Sequence, residues 1–81
     1  MNTEQIIISR LSWITQTPPS RMHRHTHFKN DLHFDSIDTM MLIVDLESWF
    51  QVTLSTQEVE TIETIHDACL CIDGHLSAMA A

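Results

Sequence analysis

The chain has 81 residues, 43% of them hydrophobic, which is enough for one compact core but not for an additional catalytic domain. Its formal net charge is −7, and the stretch from Asp31 to Asp67 contains nine acidic residues and no lysine or arginine. That half of the chain is unsuited to nucleic acid, whose phosphates need clustered basic residues, and it should attract partners with basic patches.

The N-terminal sequence, MNTEQIII, lacks the charged region and cleavage site of a signal peptide. No apolar run approaches the ~20 residues that span a bilayer. We therefore expect a cytoplasmic protein without a membrane span.

A first helix is predicted over residues 3–15, with Thr3 as its N-cap and apolar residues recurring at i, i+4 and i+7. A proline pair then ends the helical pattern. Residues 16–34 show no sustained period, so they are predicted to form a long connection. Connections of this length are often functional in small domains.

A second helix is predicted from Ser36 to Phe50, with Asp35 as N-cap and Asp38 completing an acidic capping box. On a helical wheel its apolar residues form two arcs. The larger arc, expected to face the core, comprises Leu42, Ile43, Leu46, Trp49 and Phe50. The smaller arc comprises Ile37, Met40, Met41 and Val44. It is either covered by the long loop or exposed as a surface that docks partners.

A short third helix is indicated by Ser55 and Glu58, which form an S-x-x-E capping box. In the last helix, Gly74 is the predicted C-cap, and residues 77–81 are predicted to form a frayed tail after a domain covering residues 1–76. The predicted fold class is therefore all-α: a four-helix bundle with three main helices, one short helix and a long first loop.

The segment 31–39, DLHFDSIDT, resembles the D-L-G-x-D-S-L-D motif of acyl carrier proteins, and Ser36 occupies the position of the motif's central serine. The similarity continues at residues 46–47 and in the segment 62–68, which resembles the family's I-T-T-V-x-D-A. It covers roughly residues 3–76. The resemblance implies the acyl-carrier type of four-helix bundle.

The resemblance also implies a function. The chain would be a carrier rather than an enzyme, with 4′-phosphopantetheine attached covalently to Ser36 and flanked by Asp35 and Ile37. A holo-acyl-carrier-protein synthase, a phosphopantetheinyl transferase, would attach this arm with Mg²⁺. The arm would hold acyl intermediates as thioesters for enzymes of a fatty-acid, polyketide or related specialised lipid pathway. A phosphodiester at this helix N-terminus would be stabilised by about 0.3 to 1 kcal/mol.

Two alternatives stay open from the residues alone: an aminoacyl or peptidyl carrier using the same arm, and a helical interaction module without an arm. A catalytic role is not expected, because no base is placed to activate Ser36. We expect a monomer.

Further roles follow from the resemblance by position. Partner docking would involve Ile37, Asp38, Met40, Met41, Val44 and Glu47. The positions that wall the core, where family members can shelter an acyl chain, would be Leu46, Phe50, Leu54, Val59, Ile62 and Ala68. The expected partners, besides the synthase, are acyl-loading, condensing and acyl-transfer enzymes with basic and apolar docking patches.

The sequence departs from the family pattern at the turn and on the second helix. His33 stands where the family has glycine, which predicts a differently shaped turn because histidine adopts positive φ less readily. Met41, Ser48 and Trp49 replace acids that are common on this helix. The predicted docking surface is therefore more apolar, which favours a specialised pathway.

The loop 21–27 is rich in histidine and arginine, with His23, His25 and His27 at alternating positions. A Zn²⁺ or Ni²⁺ site is geometrically conceivable there, but no cysteine or acid completes the spacing, so no metal is predicted. The loop is expected to be solvated or to lie against the acidic second helix. Cys69 and Cys71 are interpreted as unpaired structural residues.

Overall fold

A computed structural model describes the backbone of residues 2–80 and the side chains of residues 2–78. It contains four helices: α1 (Thr3–Thr15), α2 (Ser36–Phe50), α3 (Thr56–Thr61) and α4 (Ile65–Ala80). A 3-10 turn, Pro19–Arg21, lies in the long connection between α1 and α2. The predicted all-α fold is confirmed, including the short helix and the long first loop. None of the helices in this part of the chain is long and apolar enough to cross a membrane.

Helix α1 begins with a capping box whose N-cap lies one residue before the predicted one. The N-cap is Asn2, whose side chain accepts a hydrogen bond from the Gln5 N–H at 2.8 Å, and the Gln5 side chain accepts from the Asn2 N–H at 3.2 Å. The prediction of Thr3 as N-cap is wrong. Thr3 is the first helical residue, and an asparagine directly before it is the better cap.

The caps of α2 and α3 are confirmed. Asp35 accepts from the Asp38 N–H at 2.8 Å, and the Asp38 carboxylate accepts from the Asp35 N–H at 3.2 Å. Ser55 and Glu58 make the equivalent pair at 3.1 and 3.0 Å. These reciprocal bonds satisfy backbone donors that the first helical turn leaves without partners, which fixes where each helix starts.

The core forms where α1 packs against both α2 and α4. The largest fully buried side chains come from these three helices: Ile7, Leu11, Leu42, Leu46, Ile65 and Ile72. From the larger predicted arc of α2, Leu42, Ile43 and Leu46 are buried, and Phe50 packs partly buried against them.

Trp49 corrects the predicted core arc, because its side chain is 55% exposed. The guanidinium of Arg10 lies 5.0 Å from the centroid of its ring, a cation–π contact. Arg10 also donates two hydrogen bonds to Asp45, at 2.7 and 2.8 Å. A charged pair therefore joins α1 to α2, and the indole of Trp49 contacts its guanidinium.

This ion pair predicts a pH-dependent stability. The hydrogen bonds from Arg10 lower the pKa of Asp45 below its ordinary value. A lowered folded-state pKa stabilises the protein above the unfolded pKa of about 3.9, and that contribution is lost as pH falls through the folded pKa. We expect Asp45→Asn to reduce the free energy of unfolding by about 1 kcal/mol at pH 7 and by less at pH 3. Urea denaturation at both pH values measures the difference, and equal losses would contradict the prediction.

The last helix does not end at Gly74, as the sequence pattern predicted, but continues to Ala80. No glycine in the described chain has positive φ, so Gly74 is not a left-handed C-cap. Residues 77–80 of the predicted tail are therefore helical, and Ala81 lies outside the described residues. A single exposed glycine costs only about 1 kcal/mol in a helix, which is too little to end α4 at this position.

Gly74→Ala should stabilise the protein. A Cβ at this position meets no atom within 4 Å, so the added methyl group fits without rearrangement. Alanine also has less backbone freedom to lose on folding, and we expect a gain of about 0.5 to 1 kcal/mol in urea denaturation. An unchanged or lower stability would contradict a helix that runs through this position.

Backbone hydrogen bonds join the long connection to the segment before α4 and to the start of α4. The Phe28 N–H donates to the Glu63 carbonyl at 2.9 Å, and the Ile65 N–H donates to the Thr26 carbonyl at 3.1 Å. The side chains of Thr26 and Phe28 are buried at this contact. The expectation of a solvated loop holds for the side chains of residues 21 and 23–25, which are exposed, while the backbone of the loop pairs with the segment between α3 and α4.

Candidate functional site

Ser36 is the first residue of α2 and is exposed. The cap of this helix uses neighbouring groups: Asp35 and Asp38 form the capping box, and the Thr39 hydroxyl donates to the Asp35 carbonyl at 3.0 Å. The Ser36 hydroxyl takes no part in these bonds. It is therefore accessible to an enzyme, and its modification leaves the cap intact.

The turn before Ser36 has the left-handed conformation that glycine favours, although the residue is histidine. His33 has φ +58°, which costs a residue with a Cβ about 1 kcal/mol. The next residue is firmly anchored: the Phe34 N–H donates to the Phe28 carbonyl at 2.9 Å, and the two rings stack with centroids 5.9 Å apart. This buried pair offsets the strain and holds the start of α2 in place.

The smaller arc of α2 is exposed. Its members, which we call the apolar stripe, are Ile37 (68% exposed), Met40 (56%), Met41 (58%) and Val44 (58%). Of the two readings left open by the sequence, the structure supports the exposed surface. Flexible methionine side chains suit a surface that adapts to several partners.

The acids of α2 divide into two groups. Glu47 is half-buried and accepts a hydrogen bond from the Leu54 N–H at 2.8 Å, which fixes the turn between α2 and α3. Asp45 is paired with Arg10. Glu47 therefore has a structural contact as well, and its docking role stays a prediction. The carboxylates that remain near the stripe, Asp35 and Asp38, lie at its N-terminal end beside Ser36.

A groove of about 730 Å³ lies between α2 and α3, with Ser36 at its rim. Its apolar lining is Phe28, Phe34, Met40, Val59 and Ile62. Lys29 lines the same groove as Ser36 and places a positive charge in its wall.

Only two of the six predicted acyl-chain residues, Val59 and Ile62, line this groove. The side chains of Leu46, Leu54 and Ala68 are buried in the core, with 0, 8 and 1% exposure. Phe50 lines a different depression, between α1 and α4. These six residues were predicted as core-lining positions, and the burial of Leu46, Leu54 and Ala68 agrees with that. Their contact with an acyl chain stays a prediction.

The histidine-rich loop does not gather its histidines into a metal site. The His23 Nδ1 atom accepts from the His25 N–H at 3.1 Å. The His27 Nδ1 atom accepts from the backbone N–H groups of Lys29 and Asn30, both at 3.2 Å. These ring nitrogens shape the loop backbone.

Comparison with known protein families identifies the role of this site. The family model described as phosphopantetheine attachment site matches residues 5–72. The chain belongs to this family. This carrier protein therefore bears covalent 4′-phosphopantetheine and is not an enzyme.

Solved structures agree with the assignment of this carrier protein. A Mycobacterium tuberculosis chain assigned as an acyl carrier protein is 25% identical, with a TM-score of 0.82, over 89% of this chain and 96% of its own. The thermally stable acyl carrier protein of Enterococcus faecalis is 26% identical, with a TM-score of 0.73, over 93% of this chain and 99% of its own.

The residues at the start of α2 fit the carrier's prosthetic group. The accessible hydroxyl of Ser36 offers an attachment point, and the unpaired N–H groups of a first helical turn suit the phosphate. Lys29 adds a cation at the same groove. When bound, the group supplies a terminal thiol on a long flexible arm.

Sequence reasoning missed Lys29 and Phe34 as parts of this site. Both belong to the long connection, whose lack of a helical or strand period gave no indication of where its side chains point. Their placement depends on the backbone bonds between that loop and the segment before α4.

Proposed function

We propose that Ser36 is the attachment point of the phosphopantetheine arm. The observation that carries the proposal is the placement of this hydroxyl: exposed, at the first turn of a long helix, and outside the capping bonds. The motif around Ser36 supports it independently, as does the fit of Lys29 and the helix N-terminus to a phosphate.

The cargo that the proposal assigns is an acyl group, held as a thioester. The groove beside Ser36 has a mostly apolar lining that suits an aliphatic chain, and the two similar structures are named as acyl carrier proteins. An apolar docking surface with few free acids favours a specialised lipid or polyketide pathway over housekeeping fatty-acid synthesis. We place the carrier in the cytoplasm, where its two free cysteines stay reduced.

The chain's own residues perform two tasks in this proposal. Ser36 lies at the border between the groove and the apolar stripe. An acyl chain can therefore shelter against Phe34 and Val59 on one side, while a partner enzyme docks on Met41 and Val44 on the other. The carboxylates at the end of the stripe would face basic residues of that enzyme.

The proposal is tested by intact mass after incubation with coenzyme A, Mg²⁺ and a broad-specificity holo-synthase. Wild type should gain the mass of one phosphopantetheinyl group, and Ser36→Ala should gain none. Ser48→Ala is the matched control, because Ser48 is another exposed serine of α2, and this variant should gain the full mass. No gain on wild type, or an equal gain on Ser36→Ala, contradicts the proposal.

A further inference from the structure

Helices α3 and α4 bring together three side chains that have no part in the proposed carrier site. The Glu58 Oε2 atom lies 2.7 Å from the His75 Nε2 atom and 3.3 Å from the Cys71 Sγ atom. The ligand atoms of all three residues lie within 4.8 Å of one another. The Cys71 thiol is the donor in its contact with the Glu58 carboxylate.

Each donor is held by local structure. Cys71 and His75 are four residues apart on α4, so both side chains lie on the same helix face. The Oε1 atom of Glu58 accepts the Ser55 N–H in the capping box, which directs Oε2 towards α4. Chiefly because of that backbone hydrogen bond, and also because of His75, the pKa of Glu58 is lowered to about 2.

We propose that Glu58, Cys71 and His75 form a Zn²⁺ site that joins α3 to α4. Sulfur, imidazole nitrogen and carboxylate oxygen are the ligands that Zn²⁺ takes in proteins, in a tetrahedral arrangement. Zn²⁺ bonds of about 2.0 to 2.3 Å bring such ligands to about 3.5 Å from one another, which small side-chain rotations achieve here. A water molecule takes the fourth position.

Binding is balanced in charge and protons. The Cys71 thiol gives up its proton to solvent as the sulfur–zinc bond forms, and the His75 nitrogen that binds Zn²⁺ gives up the hydrogen it shares with Glu58, to the other ring nitrogen or to solvent. The Glu58 carboxylate binds without losing a proton. Zn²⁺ with one thiolate and one carboxylate has no net charge. The site therefore changes from a net charge of −1, carried by Glu58, to zero, and the formal net charge of −7 becomes less negative by one.

The site has a structural consequence for the groove. Helix α3 has six residues and none of them is fully buried: Val59 packs partly buried against the core, and Glu58 adds a polar link to α4. Val59, the residue next to Glu58, lines the groove beside Ser36. A bound Zn²⁺ would fasten α3 to α4 and restrict widening of the groove.

The test uses Co²⁺ as a spectroscopic probe of the full chain carrying Ser36→Ala. That background removes the arm and its thiol, so the result does not depend on the proposed function. We expect one Co²⁺ per chain, with a thiolate-to-cobalt charge-transfer band in the near ultraviolet and intense visible bands of tetrahedral coordination. Zn²⁺ should displace the Co²⁺ and raise the melting temperature.

Three further variants locate the site. Cys71→Ser should abolish the charge-transfer band, and His75→Gln should weaken binding at least about tenfold. Cys69→Ala is the matched control, since Cys69 is the other cysteine of α4 and does not belong to the cluster. Circular dichroism confirms that each variant is helical.

The proposal is overturned by any of three results: no charge-transfer band in the parent chain, a band that survives Cys71→Ser, or binding lost when His23, His25 and His27 are replaced together. The last outcome would place the metal in the loop. The two α4 variants affect different ligand types, so a folding defect in one leaves the other decisive.

Discussion

Replacing Met41 with serine should slow modification by the holo-synthase about tenfold or more, measured as kcat/KM, without changing the stability of the chain. Met41 is 58% exposed in the middle of the apolar stripe, so it contributes little to the core. An apolar side chain at the centre of a docking surface typically contributes 1 to 2 kcal/mol or more to binding, which is about tenfold in rate if docking limits the reaction.

Leu70→Ser is the matched control for this prediction. Leu70 has the same 58% exposure as Met41 but lies on α4, away from the stripe. This variant should be modified at the wild-type rate. If both variants are slowed equally, general surface hydrophobicity explains the effect. If neither is slowed, the stripe does not dock the synthase.

Leu46→Ala should have the largest effect on stability, a loss of about 2 to 5 kcal/mol in the free energy of unfolding. Leu46 is completely buried on the core side of α2, where α1 packs against that helix. Truncation to alanine removes apolar contacts and leaves a cavity, because the surrounding helices relax only partly around the missing side chain. A domain of this size has a free energy of unfolding of only about 5 to 15 kcal/mol, so this substitution removes a large share of it.

Urea denaturation at neutral pH measures this loss, and Met41→Ser is the control from the opposite face of the same helix. That surface change should stay within about 0.5 kcal/mol of wild type. Comparable losses for the two variants would mean that the apolar stripe is buried and that the assignment of faces on α2 is wrong.

The start of α2 was predictable because the determining interactions are local. Asp35 and Asp38 bond each other's backbone N–H groups within one turn, so four residues of sequence contain the whole signal. The division of α2 into two apolar arcs was predictable from helical periodicity alone. Which arc was exposed depended on the path of the long connection, and the sequence left that open.

The errors arose where a distant residue or a weak propensity decided the outcome. Trp49 was assigned to the core by its size, but Arg10, 39 positions earlier, and its partner Asp45 occupy that edge. Gly74 was assigned to a helix end by its conformational freedom, although one glycine is too small a cost to stop a helix. Neither the contact of Trp49 with Arg10 nor the continuation of α4 beyond Gly74 can be recognised in a short window of sequence.

The attachment residue of the candidate site could be predicted from the sequence, whereas the residues that line the groove beside it were harder to predict. Ser36 follows from a motif that spans nine residues, 31–39, whereas Lys29 and Phe34 reach the groove only through the fold of the long connection. Glu47, assigned to docking by position, also accepts a hydrogen bond from the Leu54 N–H across the turn after α2, a contact that the motif did not predict.

The most direct measurement of the central claim is a fragmentation mass spectrum of the chain after treatment with coenzyme A, Mg²⁺ and holo-synthase. We predict that the phosphopantetheinyl mass is found on fragments that contain Ser36 and on none that exclude it. A modified fragment that carries only Ser48, Ser55 or another hydroxyl residue would show that the arm is attached elsewhere and would contradict the account.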